Sequence, residues 1–340
     1  MTNQPHPFGP FVRRFLLDEV VTDRNLSLNT QRSYRDTLRL LFGFIAKHHA
    51  TEPAQVMTEQ ITADLVRDFL TDLENKRGNA VSTRNQRLAA IHSLFRFISR
   101  QVPELVALAT TIHAIVPRRT NIPTMAYLDK QEMDALLAVP DRRRPQGRRD
   151  YALLLFLYNT GARASEAATI KVGDLSLGAS FSARLFGKGR KTRLCPLWPH
   201  MADVLREILD SRIEGSKNAP VFLNVRGQPI TRYGIHTLVA RTVKKAAAKT
   251  PSLQTKRISP HTIRHTTAVH LLHAGVDINT IRAWLGHVSL ETTNRYAEID
   301  LEAKAAALES CAVRDPKTQH ESRTPLWRKD GAIMEFLLKL

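Results

Sequence analysis

Residues Ile258–Asp300 read ISPHTIRHTTAVHLLHAGVDINTIRAWLGHVSLETTNRYAEID, and their spacing decides the fold. Behind Pro260, His261, Arg264, His265 and Ala268 share one face of a helix, because residues three and four apart stack along it. Gly275 suits the left-handed cap that stops this helix. Val276, Ile278, Ile281 and Leu285 carry a second short helix, which Gly286 closes just before His287. Ser289 is placed to cap a third helix that presents Tyr296 about two turns later. Three short helices in one compact run thus bring two imidazoles, a guanidinium and a phenol toward one point.

That set suits phosphoryl transfer to a tyrosine. An Arg fork binds two phosphate oxygens at once, and a phosphodiester gains negative charge on them in its transition state. A tyrosine can form a covalent intermediate, but a phenol with an ordinary pKa of about 10 needs help to lose its proton. Histidine is the usual helper near neutral pH. Taken singly, each of these residues also has an ordinary structural role. The test lies elsewhere in the chain.

At 340 residues the chain is long enough for two domains. Its composition, 43% hydrophobic and 24% charged, is that of a soluble globular protein. Its charge is not typical: 50 Lys plus Arg against 32 Asp plus Glu leave +18. Such a surplus favours a polyanion, because neutralising phosphates releases condensed counterions. No run of about 18 apolar residues exists, and MTNQPHPFGP lacks an apolar signal core. Nucleic acid is therefore the expected partner, not a membrane, and the cytoplasm the expected location. Cys195 and Cys311 make no disulfide framework, which fits a reducing compartment. No cysteine cluster suggests zinc, and His261 with His265 lacks the Glu of a metal-binding helix. Neither metal nor other cofactor is expected.

Read in order, residues 1–7 form a flexible tail. Phe8–Val21 is an amphipathic helix, and Asn29 or Thr30 caps a longer one through His49. Thr58 opens a third helix, stopped by Gly78, and Ser82 or Thr83 caps a fourth through Phe97. Arg32, Arg35, Arg39, Arg84 and Arg87 cluster at two helix starts, where side chains and backbone N–H groups can meet phosphates. The prolines at 103, 117 and 123 make a linker of residues 105–125. Asp129 caps the first helix of the second domain, and DRRRPQGRRD (141–150) follows as a surface loop. YALLLFLY (151–158) is apolar all round, so it is a buried helix, and Gly161 ends it. Arg163 then sits at a helix junction, costly there unless it meets an anion or an internal carboxylate such as Glu166. FSARLFGKGRKTRLCPL (181–197) alternates as a β-hairpin turning at Gly187-Lys188-Gly189. Two more helices follow, around 201–213 and 233–248. Past Tyr296, 301–308 is helical, and the apolar 332–340 docks either back on its own chain or on a neighbour.

The second domain closely resembles the tyrosine recombinase (phage integrase) family. The motifs are Thr160-Gly161-Ala162-Arg163-Ala164-Ser165-Glu166, Gly187-Lys188-Gly189-Arg190-Lys191, His261-Thr262-Ile263-Arg264-His265, Leu285-Gly286-His287, and Thr293 with Tyr296. Order and spacing both match. More weakly, Thr30-Gln31-Arg32-Ser33-Tyr34 and Thr83-Arg84-Asn85-Gln86-Arg87 resemble the family's core-binding domain. The resemblance implies a two-domain clamp, mainly α with a small β-hairpin or sheet in the catalytic domain (α+β). Residues 8–104 would be a helical, SAM-like core-binding domain, 126–302 the catalytic domain and 303–340 a C-terminal tail. It also implies metal-free recombination through a 3′-phosphotyrosyl bond. In it Tyr296 attacks, Arg163 and Arg264 clamp the nonbridging oxygens, Lys188 protonates the leaving 5′-oxygen, His261 assists the tyrosine proton and His287 hydrogen-bonds the phosphate. Arg32, Arg35, Thr83, Arg84 and Arg87 would contact DNA. The resemblance implies double-stranded DNA as the partner, at the nucleoid, with the family working as a homo-tetramer on paired sites, sometimes with a second recombinase, in integration, excision, dimer resolution or transposition. A type IB topoisomerase would share the chemistry, and a non-cleaving DNA-binding protein would share only the charge.

Overall fold

The computed structural model describes residues 5–120, 125–187, 191–210 and 216–286. The chain divides into two compact units, Met1–Pro123 and Thr124–Leu340. Its described residues are mostly helical, with one small antiparallel sheet.

The first unit contains α1 (Phe8–Arg14), a π-helical continuation over Phe15–Asp23, α2 (Leu28–His49), α3 (Ala63–Asn75), α4 (Val81–Gln101) and α5 (Val106–His113). Their apolar stripes meet in a core around Phe8, Phe15, Leu41, Phe69, Ile91 and Phe95. Burying each such side chain stabilises the fold by about 1.5–3 kcal/mol.

Several boundaries differ from the sequence expectation, each for a local reason. Ser27, not Asn29 or Thr30, caps α2, its Oγ accepting from the Thr30 N–H at 3.3 Å. Thr58 does not open α3. Its N–H and hydroxyl both donate to the His6 carbonyl, so it is spent on the N-terminus, and Thr62 caps the helix instead. The same contacts, with His6 Nδ1 lying 2.6 Å from Glu59, hold residues 6–7 against the unit, so they are not a flexible tail. α4 starts at Val81, which puts Ser82 and Thr83 inside its first turn. The expected linker 105–125 also shrinks. Its prolines hide α5, whose Ala109 and Ile112 join the core beside α4.

The second unit begins with α6 (Lys130–Leu137), capped by Asp129 as the sequence suggests, with Glu132 completing a capping box. α7 (Pro145–Thr160) is longer than expected. Pro145 occupies the helix start, where its missing N–H costs nothing, so the arginine-rich segment is partly helix and not a loop. Asp150 is buried within it between Arg149 and Arg241. Residues 152–157 are buried on all sides, with α7 packed on α9 (Pro199–Asp210) and α11 (Pro260–His273). α8 (Ala164–Thr169), α10 (Arg232–Ala246) and α12 (Ile278–Leu285) complete the α-helices among the described residues.

The sheet runs β1 (Leu175–Leu177), β2 (Phe181–Phe186), β3 (Thr192–Pro196). β2 and β3 form the expected hairpin, with Ala183 opposite Cys195 and Leu185 opposite Arg193, and β1 adds a third strand. Ala183, Leu185 and Cys195 are buried. Period-two alternation puts Arg193 on the same face as Cys195. Among the described residues no helix is long and apolar enough to cross a membrane. The helices expected after His287 and over 301–308, and the apolar tail 332–340, lie outside the described residues.

Candidate active site

Three helix ends meet because the chain turns sharply at two glycines. Gly161 leaves α7 at φ +59° and Gly286 leaves α12 at φ +65°, a region where a side chain is strained. Space forbids a side chain at Gly161 as well, since a Cβ would lie 2.4 Å from Leu285 Cδ2. α7 and α12 thus approach at their C-termini, the negative ends of their dipoles.

Arg264, on α11, closes this junction. It is 1% exposed, and its Nη1 and Nη2 donate to the carbonyls of Gly161 and Leu285, each at 2.6 Å. A buried guanidinium is costly unless its donors are matched. Two helix C-termini supply the match. The same side chain ties the residue pair before Arg163 and the pair before His287 to the helix that carries His261.

Arg163 is the N-cap of α8, its backbone N–H donating to Glu166 Oε2 at 2.9 Å and its Nη1 to Oε1 at 2.7 Å. Its side chain keeps 33% of its exposure. Glu166 is therefore the internal carboxylate that the sequence suggested. It has a second partner that sequence reasoning missed. Arg193 reaches from β3 with Nη1 to Oε1 at 3.0 Å and Nη2 to Oε2 at 2.7 Å, while its Nε donates to the Trp284 carbonyl at 2.8 Å. Burial pushes the Glu166 carboxyl up, but the hydrogen bonds and charge of Arg193, with Arg163 behind, hold it below the usual carboxylate range. The available signal was a charged residue on the inward face of a strand, two positions from the buried Cys195.

His261 opens α11 beside His265, ring centroids 4.2 Å apart. Crowding by its surroundings lowers its pKa from the ordinary 6.5, and the charges of Arg264 and Arg163 act in the same direction. Because the residue stays exposed, the two cations are the firmer cause. Gly187 ends β2 with its N–H on the Lys191 carbonyl, and a Cβ there would lie 3.5 Å from Glu166 Oε1. The hairpin that leads into Lys188 therefore leaves from beside Glu166. Lys188, His287 and Tyr296 themselves lie outside the described residues.

The expected DNA contacts of the first unit divide. Arg32 and Arg35 are exposed, Arg35 pairing with Asp36 at 2.9 Å, and Thr83 is half-buried in the first turn of α4. Arg87 is half-buried, its Nε without a hydrogen-bond partner among the described residues. Arg84 does not belong to the exposed face. It is 5% exposed, with Nε 3.5 Å from Glu74, which also takes Arg118, so it is part of the unit's interior. Among the described residues no three His, Cys, Asp or Glu side chains are grouped as metal ligands.

Residues 126–302 match the phage integrase family, and residues 14–102 match the phage integrase N-terminal SAM-like domain. Protein y4rC of Sinorhizobium fredii is 39% identical over 332 residues, covering 98% of each chain. Tyrosine recombinase XerC of Pelobacter propionicus is 35% identical over 303 residues, covering 87% of this chain and 93% of its own. Two solved structures share the fold. The Tn1549 transposon integrase with transposon right end DNA aligns at a TM-score of 0.69 and 16% identity, covering 89% of this chain and 99% of that one. The XerH site-specific recombinase in a post-cleavage complex aligns at 0.65 and 22% identity, covering 84% and 81%.

Proposed function

The chain belongs to the phage integrase family of DNA recombinases, and we propose that its own Arg163, Lys188, His261, Arg264, His287 and Tyr296 carry the reaction. Tyr296 Oη attacks the scissile phosphorus, the phenol proton passes to His261, and the bond to the 5′-oxygen breaks as Lys188 protonates it. Arg163 and Arg264 hold the nonbridging oxygens, with His287 as a further donor. A 5′-hydroxyl of the partner strand then reverses the steps, so the phosphodiester energy is kept and no nucleotide or metal is consumed.

The observation that carries this reading is the charge of the junction. Arg163 and Arg193 both pair with one carboxylate, Glu166, while Arg264 lies on the Gly161 and Leu285 carbonyls, so a surplus of positive charge that suits an anion stands at the end of α7. The experiment is capture of a covalent protein–DNA adduct from a pool of randomised nicked duplexes in EDTA, on a denaturing gel. An adduct in EDTA is expected. No adduct, or one needing a divalent cation, would contradict the reading. On the recovered duplex, sulfur at the bridging 5′ position checks the acid. A thiolate leaves without a proton, its ordinary pKa being about 8.5, so Lys188→Ala should be rescued and Arg264→Ala should not.

His261 sets the pH dependence. The neutral imidazole accepts the proton, and its pKa is lowered from 6.5. Cleavage should therefore hold its rate as pH falls to that value and decline only below it, as His261 becomes protonated. His261→Asn should lower the plateau by about 10²-fold and remove the decline. A decline beginning above 6.5, or one unchanged in the variant, would exclude His261 as the acceptor.

A further inference from the structure

Glu166 is shared unequally between two guanidiniums. Arg193 meets both carboxylate oxygens and adds a third bond to the Trp284 carbonyl, and its side chain is 9% exposed. Arg163 gives the carboxylate one guanidinium nitrogen, Nη1, and keeps 33% of its side-chain exposure. Gly286 makes room for this arrangement, since a Cβ there would meet Arg193 Cδ at 3.1 Å. A strand, α8 and the end of α12 are joined through one buried fork.

A fork-to-fork pair is the strongest geometry open to an arginine and a carboxylate. Two guanidiniums compete for it, and Arg193 occupies it. With Arg193 present, two cations face one anion and the group keeps one positive charge. With Arg193 absent, Glu166 and Arg163 form a neutral pair. Glu166 is then free to take the second Arg163 nitrogen, which would turn the guanidinium inward.

We propose that Arg193 is a positioning residue that occupies Glu166 as its own ion-pair partner, so that the charge of Arg163 stays uncompensated and outward-facing for the scissile phosphate. Arg193 touches no reacting atom. It acts through Glu166, a buried carboxylate that caps α8 and would otherwise quench the cation it orients. The inference rests on the reading of Arg163 as a phosphate ligand.

The test is single-turnover cleavage of the recovered nicked duplex, with folding followed by circular dichroism. Arg193→Met should slow cleavage by about 10²-fold in the parent chain, the usual loss when a transition-state cation is removed. In the Glu166→Gln background the same change should cost less than about tenfold, because a neutral amide cannot quench Arg163. A loss of 10²-fold or more in both backgrounds would overturn the proposal, since a packing role does not depend on the charge of residue 166. Where Arg193→Met alone fails to fold, Arg193→Lys carries the test. Arg193→Lys keeps the charge without the fork and should cleave within about tenfold of the parent. A folded Arg193→Lys as slow as Arg193→Met would equally overturn it. Arg163→Ala run in parallel separates the two readings. Normal cleavage there would remove the phosphate-ligand assignment itself, whereas a slow Arg163→Ala beside a normal Arg193→Met would remove only the role of Arg193.

Discussion

Tyr296→Phe should bind DNA as the parent does and form no covalent adduct on a nicked duplex. The change removes one oxygen and keeps the ring, so packing is nearly conserved while the nucleophile is lost. The effect should be complete, because a phosphotyrosyl bond has no substitute when the phenol oxygen is absent. Water attack at the same phosphorus would leave a nick and no protein attached. Binding measured by gel shift and adduct measured under denaturing conditions separate the two functions. An adduct of normal yield in this variant would assign the nucleophile to another residue.

Arg264→Ala should damage both stability and chemistry. The guanidinium fills the space between α7, α11 and α12 and is the donor to the buried carbonyls of Gly161 and Leu285. Truncation leaves two acceptors without their donor and a cavity behind them, a loss of about 2–4 kcal/mol. Cleavage should fall by about 10²–10³-fold beyond any loss of folded protein, since the cation on the Gly161 carbonyl at the end of α7 is gone. Arg264→Lys should recover part of the stability but little of the rate, because one ammonium cannot span two carbonyls and a phosphate. Thermal melting and single-turnover rates at a temperature where both proteins are folded check the two effects. A folded Arg264→Ala that cleaves within about tenfold of the parent would remove Arg264 from the phosphate site.

The parts of the fold that were legible in the sequence are those where one residue type has one local meaning. Gly161, Gly275 and Gly286 all adopt the positive φ that their places after helical runs imply. Asp129 reads as a helix cap and forms one. The alternation across 181–196 gives the β2–β3 hairpin. The parts that were not legible depend on partners distant in the chain. Thr58 looks like a cap until His6 takes it, 52 residues away. Arg84 looks like a DNA contact until Glu74 buries it. In the 141–150 segment the run of arginines suggests a loop, yet Pro145 starts a helix and Gly147 is needed there, because a Cβ would lie 1.9 Å from the Asp141 carbonyl oxygen.

The same division holds at the candidate site. Arg163 beside Glu166 could be read from their spacing, three residues apart on one helical turn. Arg193 could not, because its contact with Glu166 spans 27 residues and depends on how β3 packs on the end of α12. Sequence motifs report which groups the chemistry needs. The charge balance that keeps those groups usable is set by tertiary contacts.

The central claim, that Tyr296 carries the DNA, is tested most directly by identifying the amino acid in the trapped adduct. After nuclease and protease digestion, mass spectrometry should find nucleotide mass on the peptide that begins at or spans Tyr296, joined through its phenol to a 3′-phosphate, with a 5′-hydroxyl on the released strand. Nucleotide mass on any other residue, or a 5′-phosphate linkage, would contradict the account.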